Sequence, residues 1–407
     1  MTGLLFKNSY SYEQKIQQMQ SDAEYDVGFD SDAQTNGIEA ANKVICMSKK
    51  MTSHKLFLSN SCAFNCAYCS CRCQKEKNYA YTHSPEELAL IAVNEAKIHK
   101  QGIFISSAIH KNADYTQELI ARTVRIMRND LGYGGFIHAK VMPGADPLLI
   151  HETGKYADRL SVNIEVAKSS GYEKIAKQKN KHNILKPMQD IYEQILNHSD
   201  IKQLFAHSQT TQLMAGSTNE DDRTIMKLST ALYRKFNLKR VYYTAFAYKE
   251  HAKGYEREEI PITHTPHWRM ARLYQADRLT QLYGFSFDDV TPQDDPFLKE
   301  NIDPKSSWAL RNMDMFPVEV NKADYDTLIR VPGIGIVNAK KIIQARRYCI
   351  ITHETMKKMN IPLRRCSYFV ICNGKFENDR LFKHEDIVRA LTSNYNQISI
   401  YDLLTSC

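Results

Sequence analysis

Between about residues 51 and 250, short apolar runs alternate with longer stretches whose apolar positions recur every three or four residues. The short runs have the pattern of strands buried on both faces, and the longer ones that of helices with one apolar stripe. Strands are predicted at Lys55–Leu58, Ile103–Ser107, Phe136–Val141, Leu160–Glu165, Thr210–Ala215 and Arg240–Ala245. Ser84-Pro85-Glu86-Glu87 opens the first intervening helix, with Ser84 as N-cap and Pro85 at the first helical position, and Gly102 closes it. Further helices are predicted over Thr116–Leu131, about Asp222–Phe236, and Trp268–Tyr283. Strands separated by helices imply parallel βα units, hence an α/β fold with six of them, a partial barrel or an open sheet. Functional residues in such folds gather at the C-terminal ends of the strands.

The flanks read differently. Residues 1–50 are polar and form an N-terminal extension, with a helix expected near Glu13–Gln20. The barrel and its flanking helices take 51–284. Phe285–Pro304 then carries six acids and three prolines, which predicts an acidic linker over 285–316. A small all-α domain follows at 317–380, and 381–407 is a tail with a weak helix near Glu385–Leu391.

Composition narrows the class. Apolar residues make up 43% and aromatics 10% of the 407 residues, too many for a disordered chain. No run approaches the ~20 apolar residues of a membrane span, and Leu4, Leu5 and Phe6 meet Lys7 too soon for a signal peptide. A cytoplasmic protein without a membrane partner is expected. The net charge of +8 is concentrated: residues 331–370 hold eight Lys or Arg against one acid, Glu354. That is the footprint of a polyanion partner, or else a solvated face. Lys168–Lys186, with six lysines and only Glu173 as acid, reads as a solvated helix face or, less favoured, an approach surface for a phosphate backbone.

Five of the ten cysteines, Cys62, Cys66, Cys69, Cys71 and Cys73, fall within twelve residues directly after the first predicted strand. Clustered thiols in a reducing compartment point to a metal or cluster rather than disulfides. Cys62, Cys66 and Cys69 are spaced C-x3-C-x2-C, which lets one loop aim three thiolates at one point. On a [4Fe–4S] cube three thiolates leave one iron open to a small molecule. A zinc site with Cys71 or Cys73 as fourth ligand is the alternative, although no partner C-x2-C or H-x3-H pair lies elsewhere to close it.

With Tyr68 as the aromatic of C-x3-C-x-(aromatic)-C, the string resembles the signature of the radical S-adenosylmethionine superfamily. The resemblance implies a [4Fe–4S] cluster on Cys62, Cys66 and Cys69, S-adenosyl-L-methionine chelated by the open iron, and its one-electron cleavage to a 5′-deoxyadenosyl radical. It also implies a reductase such as flavodoxin or ferredoxin as electron donor. Arg72 is similar to the C-x2-R extension of some branches. Ser106-Ser107 stands where many members carry Gly-Gly-Glu, a departure. By the family's layout Ser161, Asn163 and Glu165 would reach the ribose and the methionine end. Gln212–Glu220 would pass the adenine, with the family's acid falling on Asn219. The cofactor-binding set implied is Tyr68, Ser106, Ser107, Ser161, Asn163, Glu165 and Gln212. Tyr243, Tyr248 and Cys46 are candidate hydrogen donors.

A second string, Asp326-Thr327-Leu328-Ile329-Arg330-Val331-Pro332-Gly333-Ile334-Gly335-Ile336-Val337-Asn338-Ala339-Lys340-Lys341, resembles the helix-hairpin-helix DNA-binding motif. Gly333 and Gly335 permit a tight hairpin and close approach of a phosphate to free helix-start amides, with Lys340 and Lys341 one turn on. A degenerate second copy, Met356–Cys366, offers Arg364 and Arg365 in place of the glycine hairpin. A connector that binds nothing is the bland alternative. Together the two strings resemble a bacterial family of radical S-adenosylmethionine proteins associated with DNA modification or repair. This implies a radical enzyme acting on duplex DNA with little sequence preference. The alternatives are a radical tRNA- or RNA-modifying enzyme and a non-catalytic iron–sulfur or zinc scaffold that binds DNA.

Overall fold

The computed structural model describes Met19 and residues 53–73, 80–198, 204–246, 264–377 and 384–397. The expectations for the N-terminal extension, Cys46, Tyr248 and the two ends of the tail lie outside the described residues, whereas the helix expected near Glu385–Leu391 is present within His384–Gln397. Two compact units emerge, one built mainly from Cys46–Glu220 and Leu228–Pro266, the other from Asp221–Lys227 and His267–Cys407.

The first unit is a six-stranded, all-parallel sheet: β1 (Ser53–Phe57), β2 (Gly102–Ser106), β3 (Ile137–Lys140), β4 (Arg159–Ser161), β5 (Ser208–Ala215) and β6 (Arg240–Ala245). The strands pair in chain order from β1 to β6. Side chains at or just beyond the C-terminal ends of all six face a single cavity, which requires the sheet to curl into part of a barrel. The helices between them are α1 (Pro85–His99), α2 (Ala113–Asn129), α3 (Pro147–Tyr156), α4 (Ser170–Ile175), α5 (Lys181–Asn197) and α6 (Asp222–Phe236). α3 and α5 are additional to the helices that the apolar pattern predicts.

Local chemistry explains these boundaries. Ser84 accepts the Glu87 amide and caps α1 as expected. The helix stops before Gly102, however: Lys100 adopts the left-handed conformation at φ +51°, and Gly102 begins β2. Asn112 and Asp146 cap α2 and α3, with Pro147 in the first turn of α3. β4 is only three residues long, so Asn163 and Glu165 lie beyond it rather than in a strand ending at Glu165.

The second unit contains α7 (His267–Leu282), α8 (Phe287–Val290), α9 (Pro304–Arg311), α10 (Tyr325–Arg330), α11 (Ile336–Ala345), α12 (His353–Lys358), α13 (Leu363–Cys366), α14 (His384–Gln397) and the two-stranded parallel pair β7 (Val318–Glu319) and β8 (Val370–Ile371). The linker expectation is corrected here. Ser286 and Asp289 form a capping box on α8, and Asp303 caps α9 with Pro304 in its first turn. Three of the six acids, Asp288, Asp289 and Asp303, and one of the three prolines, Pro304, thus belong to helix starts, and Asp288 pairs with Arg223. Phe285, Trp308, Phe316 and Phe369 pack edge to face in sequence, and Arg330 lies over the rings of Phe285 and Trp308.

Candidate functional site

The cysteine loop leaves β1 and is stitched down by backbone bonds on both flanks. The Ala63 amide donates to Ile109 beyond β2, and the Ala67 amide to Ile175 of α4. The Cys73 amide returns to the Phe64 carbonyl, closing the loop on itself. Arg72, buried, donates from Nη1 to the Ala67 carbonyl at 3.0 Å. It therefore serves as an internal brace.

Cys62, Cys66 and Cys69 all line the cavity, together with Cys71. Two of the three motif sulfurs already receive backbone N–H groups: Phe64 donates to Cys62 Sγ at 3.3 Å, and Cys71 donates to Cys69 Sγ at 3.4 Å. Such donors favour thiolate over thiol. Burial works the other way, raising Cys62 and pushing Cys66 up to about 12, while the Lys179 ammonium opposes both shifts.

Lys179 is the residue that sequence reasoning missed. Of the six lysines in Lys168–Lys186, the other five are exposed, as a solvated face requires, but Lys179 turns inward. Its Nζ donates to Glu165 Oε1 at 2.8 Å and to the Tyr68 hydroxyl at 3.0 Å. Burial alone would push Lys179 toward neutrality, but the Glu165 carboxylate holds it charged, above the ordinary lysine range. Burial and the Glu165 carboxylate keep the Tyr68 phenol neutral. Glu165 sits at φ +63°, a left-handed backbone that costs a non-glycine residue about 1 kcal/mol or more. Its amide donates to Gln212 and its carbonyl accepts from Met214, so the bend is fixed from both sides by β5.

The cavity, about 140 Å³, draws Phe57 from β1, Ser107 from beyond β2, Lys140 from β3, Asn163 from beyond β4, Gln212 and Met214 from β5, and Thr244 from β6. Amide and hydroxyl groups thus share the wall with two cations and an apolar floor. That composition suits a charged ligand carrying a flat apolar ring.

Of the expected cofactor-binding residues, Tyr68, Ser107, Asn163, Glu165 and Gln212 meet at this cavity. Ser106 and Ser161 do not line it. Ser106 is the last residue of β2 and is fully buried, while Ser161 Oγ bonds His138 Nε2 at 2.8 Å inside the sheet. Glu165 faces Lys179 and Tyr68, which makes it a positioning residue for the cysteine loop. The turn after β5 also differs from expectation. Asn219 is the left-handed residue at φ +53°, and the Glu220 carboxylate accepts from Gly216 and Thr218, holding that turn together. Tyr243 is fully buried with its hydroxyl donating to Ser229, away from the cavity lining.

In the second unit, α10, the turn 331–335 and α11 form the expected helix-turn-helix pair, with Ile334 fully buried as its anchor. Gly333 takes φ +83°. A Cβ there would lie 3.1 Å from Arg365 Cβ and 3.2 Å from the Cys366 nitrogen, so α13 occupies that side. A Cβ at Gly335 would meet the Tyr283 hydroxyl at 3.3 Å. At both glycines the side that a Cβ would occupy is thus taken by protein. Gly335 is the N-cap of α11 and supplies no side chain to its first-turn amides. Lys305 Nζ donates to the Ile334 carbonyl at 2.6 Å and braces the hairpin from below.

The eight basic residues divide into two groups. Arg346 donates to the carbonyls of Val320 and Ala323, and Arg365 pairs with Asp303 and Ser306, so both hold the fold together. Arg365, expected as a phosphate ligand, thus already has an acid as partner. Lys340, Lys341, Arg347, Lys357, Lys358 and Arg364 are exposed, with Lys358 beside Glu354.

No family model matches the chain, and no curated protein matches it in sequence. Among solved structures, the FeFe-hydrogenase maturase HydG from Carboxydothermus hydrogenoformans superposes over 66% of this chain with 15% identity and a TM-score of 0.42. The match spans 63% of that chain, and so loose an overlap carries no weight for activity or fold. Among the described residues, no helix is long and apolar enough to cross a membrane.

Proposed function

We propose that this chain is a radical S-adenosylmethionine enzyme that acts on DNA. One observation carries the reading. Three thiols on a single braced loop face a cavity walled by the C-terminal ends of six parallel strands. The donor set fits a [4Fe–4S] cluster, since thiolate is its ligand and two of the sulfurs already accept backbone N–H groups. When bound, the cluster would supply an electron to S-adenosyl-L-methionine at its open iron, yielding a 5′-deoxyadenosyl radical that takes hydrogen from a substrate.

The protein's own residues do the rest. Cys62, Cys66 and Cys69 would ligate iron. Lys179, locked to Glu165 and Tyr68, sets the loop's position and places a fixed positive charge beside the anionic cluster. Asn163, Gln212 and Thr244 offer hydrogen bonds to the ligand's polar groups, and Met142, Met214 and Ile109 exclude water from its apolar ring. Electrons would come from a reductase such as flavodoxin or ferredoxin.

DNA as substrate rests on the second unit. Its hairpin-linked helices and six exposed Lys or Arg side chains supply the positive charge and uncapped helix start that grip a phosphate backbone without reading bases. The test is mass spectrometry of nucleosides digested from duplex DNA and from tRNA after incubation with reconstituted enzyme, cofactor and reductant. A new nucleoside in DNA alone supports the proposal. One in tRNA alone would shift the substrate to RNA.

A further inference from the structure

At the opposite end of β1 from the cysteines, three side chains converge that the proposed chemistry does not use. His54 is the second residue of β1, and Glu95 and His99 are one turn apart on the same face of α1. His54 and Glu95 are buried and His99 is half exposed. The ligand-type atoms of all three lie within 4.8 Å of one another. A carboxylate as buried as Glu95 needs compensating positive charge, and two imidazoles are among its neighbours.

The geometry separates two explanations. One oxygen, Glu95 Oε2, faces His54 Nε2 at 3.2 Å and His99 Nε2 at 3.4 Å. Hydrogen bonds between a protonated imidazole and a carboxylate close to about 2.7–2.9 Å. Both separations are longer than that, the shorter one standing at the outer limit of an ordinary N–H···O bond. They match instead the edge of a ligand tetrahedron around zinc: bonds of about 2.0–2.1 Å at tetrahedral angles place neighbouring donors about 3.3–3.4 Å apart. The two rings lie nearly parallel, 6° apart with centroids 5.1 Å from one another, and both turn Nε2 toward the same Glu95 oxygen. His99 is also the last residue of α1, where the helix dipole favours a cation.

We propose that His54, Glu95 and His99 bind a divalent transition metal of the zinc type, with the fourth position left to water or a further ligand. Two imidazole nitrogens and one carboxylate oxygen are a donor set that zinc accepts. A metal held there would staple the start of β1 to the end of α1. The site is independent of what the cysteines carry.

The test uses the full-length protein, dialysed against zinc and then metal-free buffer, with zinc per chain counted by plasma mass spectrometry. Wild type should hold about one more zinc than His99→Ala, and Glu95→Gln should show the same loss. His99→Cys, which restores a zinc ligand, should recover it. Repeating the comparison in a chain with Cys62, Cys66 and Cys69 all changed to Ala keeps the result separate from the cluster reading, because the difference of one should persist there. Zinc should also raise the melting temperature of wild type more than that of His99→Ala. His99 is half exposed at a helix end, and His99→Gln gives a second variant should the alanine form fold poorly. Equal zinc content and equal melting shifts in wild type and both His99 variants would overturn the proposal.

Discussion

The two units handle charge in opposite ways. In the barrel, Lys179, Glu165 and Tyr68 are packed beneath the cysteine loop and bonded to one another at 2.8–3.0 Å. In the helical unit, Lys340 and Lys341 project from α11 into solvent. The proposed radical chemistry would demand a fixed geometry and a dry cavity, which paired and immobile charges suit. A grip on a polyanion gains most from mobile, solvated cations that release counterions on binding. The contrast even holds within the basic segment, where Arg346 and Arg365 are spent on carbonyls and Asp303 while their neighbours remain exposed.

The contrast is most exposed in stability. Lys179→Met leaves the Glu165 carboxylate buried without its cation, and should cost about 3–5 kcal/mol. Lys340→Ala with Lys341→Ala should change stability by no more than about 0.5 kcal/mol each. Urea denaturation of cluster-free protein reads both. Equal losses would erase the distinction between the two kinds of charge.

A smaller effect, of opposite placement, concerns DNA. Lys340→Ala plus Lys341→Ala should lower the slope of log K against log salt by about 1.8, at about 0.9 for each phosphate that is no longer neutralised. Fluorescence anisotropy on duplex DNA measures it. Arg346→Ala should instead lower the unfolding midpoint, because its guanidinium holds the carbonyls of Val320 and Ala323. An unchanged salt slope in the double lysine variant would remove the helical unit from DNA binding.

A further effect is on pH dependence. Burial, partly opposed by Asp303, lowers Lys305 to about 7. The unfolded chain then holds a proton that the folded chain has lost between about pH 7 and the ordinary lysine range, so this group makes stability rise with pH across that window. Lys305→Met should flatten the rise, as read from urea midpoints at pH 7 and pH 9.

Much of this organisation was legible in the sequence. The strands announced themselves as apolar runs because both faces of a parallel sheet are covered, and C-x3-C-x2-C named its own loop. Gly333 and Gly335 likewise marked a hairpin, although one packs against α13 and the other against Tyr283. What stayed hidden depends on partners distant in the chain. Nothing local separates Lys179 from five exposed lysines; its burial is decided by Glu165, fourteen residues earlier, on a left-handed bend fixed by β5. α5 was masked by Pro187, which the helix contains. Phe285–Pro304 looked like a linker because helix-capping acids and a first-turn proline have the same composition as broken chain.

The central claim is that the barrel's three-cysteine loop carries a cluster that cleaves S-adenosyl-L-methionine. The direct measurement is 5′-deoxyadenosine formed by anaerobically reconstituted protein given S-adenosyl-L-methionine and dithionite, with iron counted in the same samples. Wild type, Cys71→Ala and Cys73→Ala should hold about four irons per chain and form the product, whereas Cys62→Ala, Cys66→Ala and Cys69→Ala should lose both. Protein that carries zinc in place of iron and forms no 5′-deoxyadenosine, or product that persists in Cys66→Ala, would contradict the account.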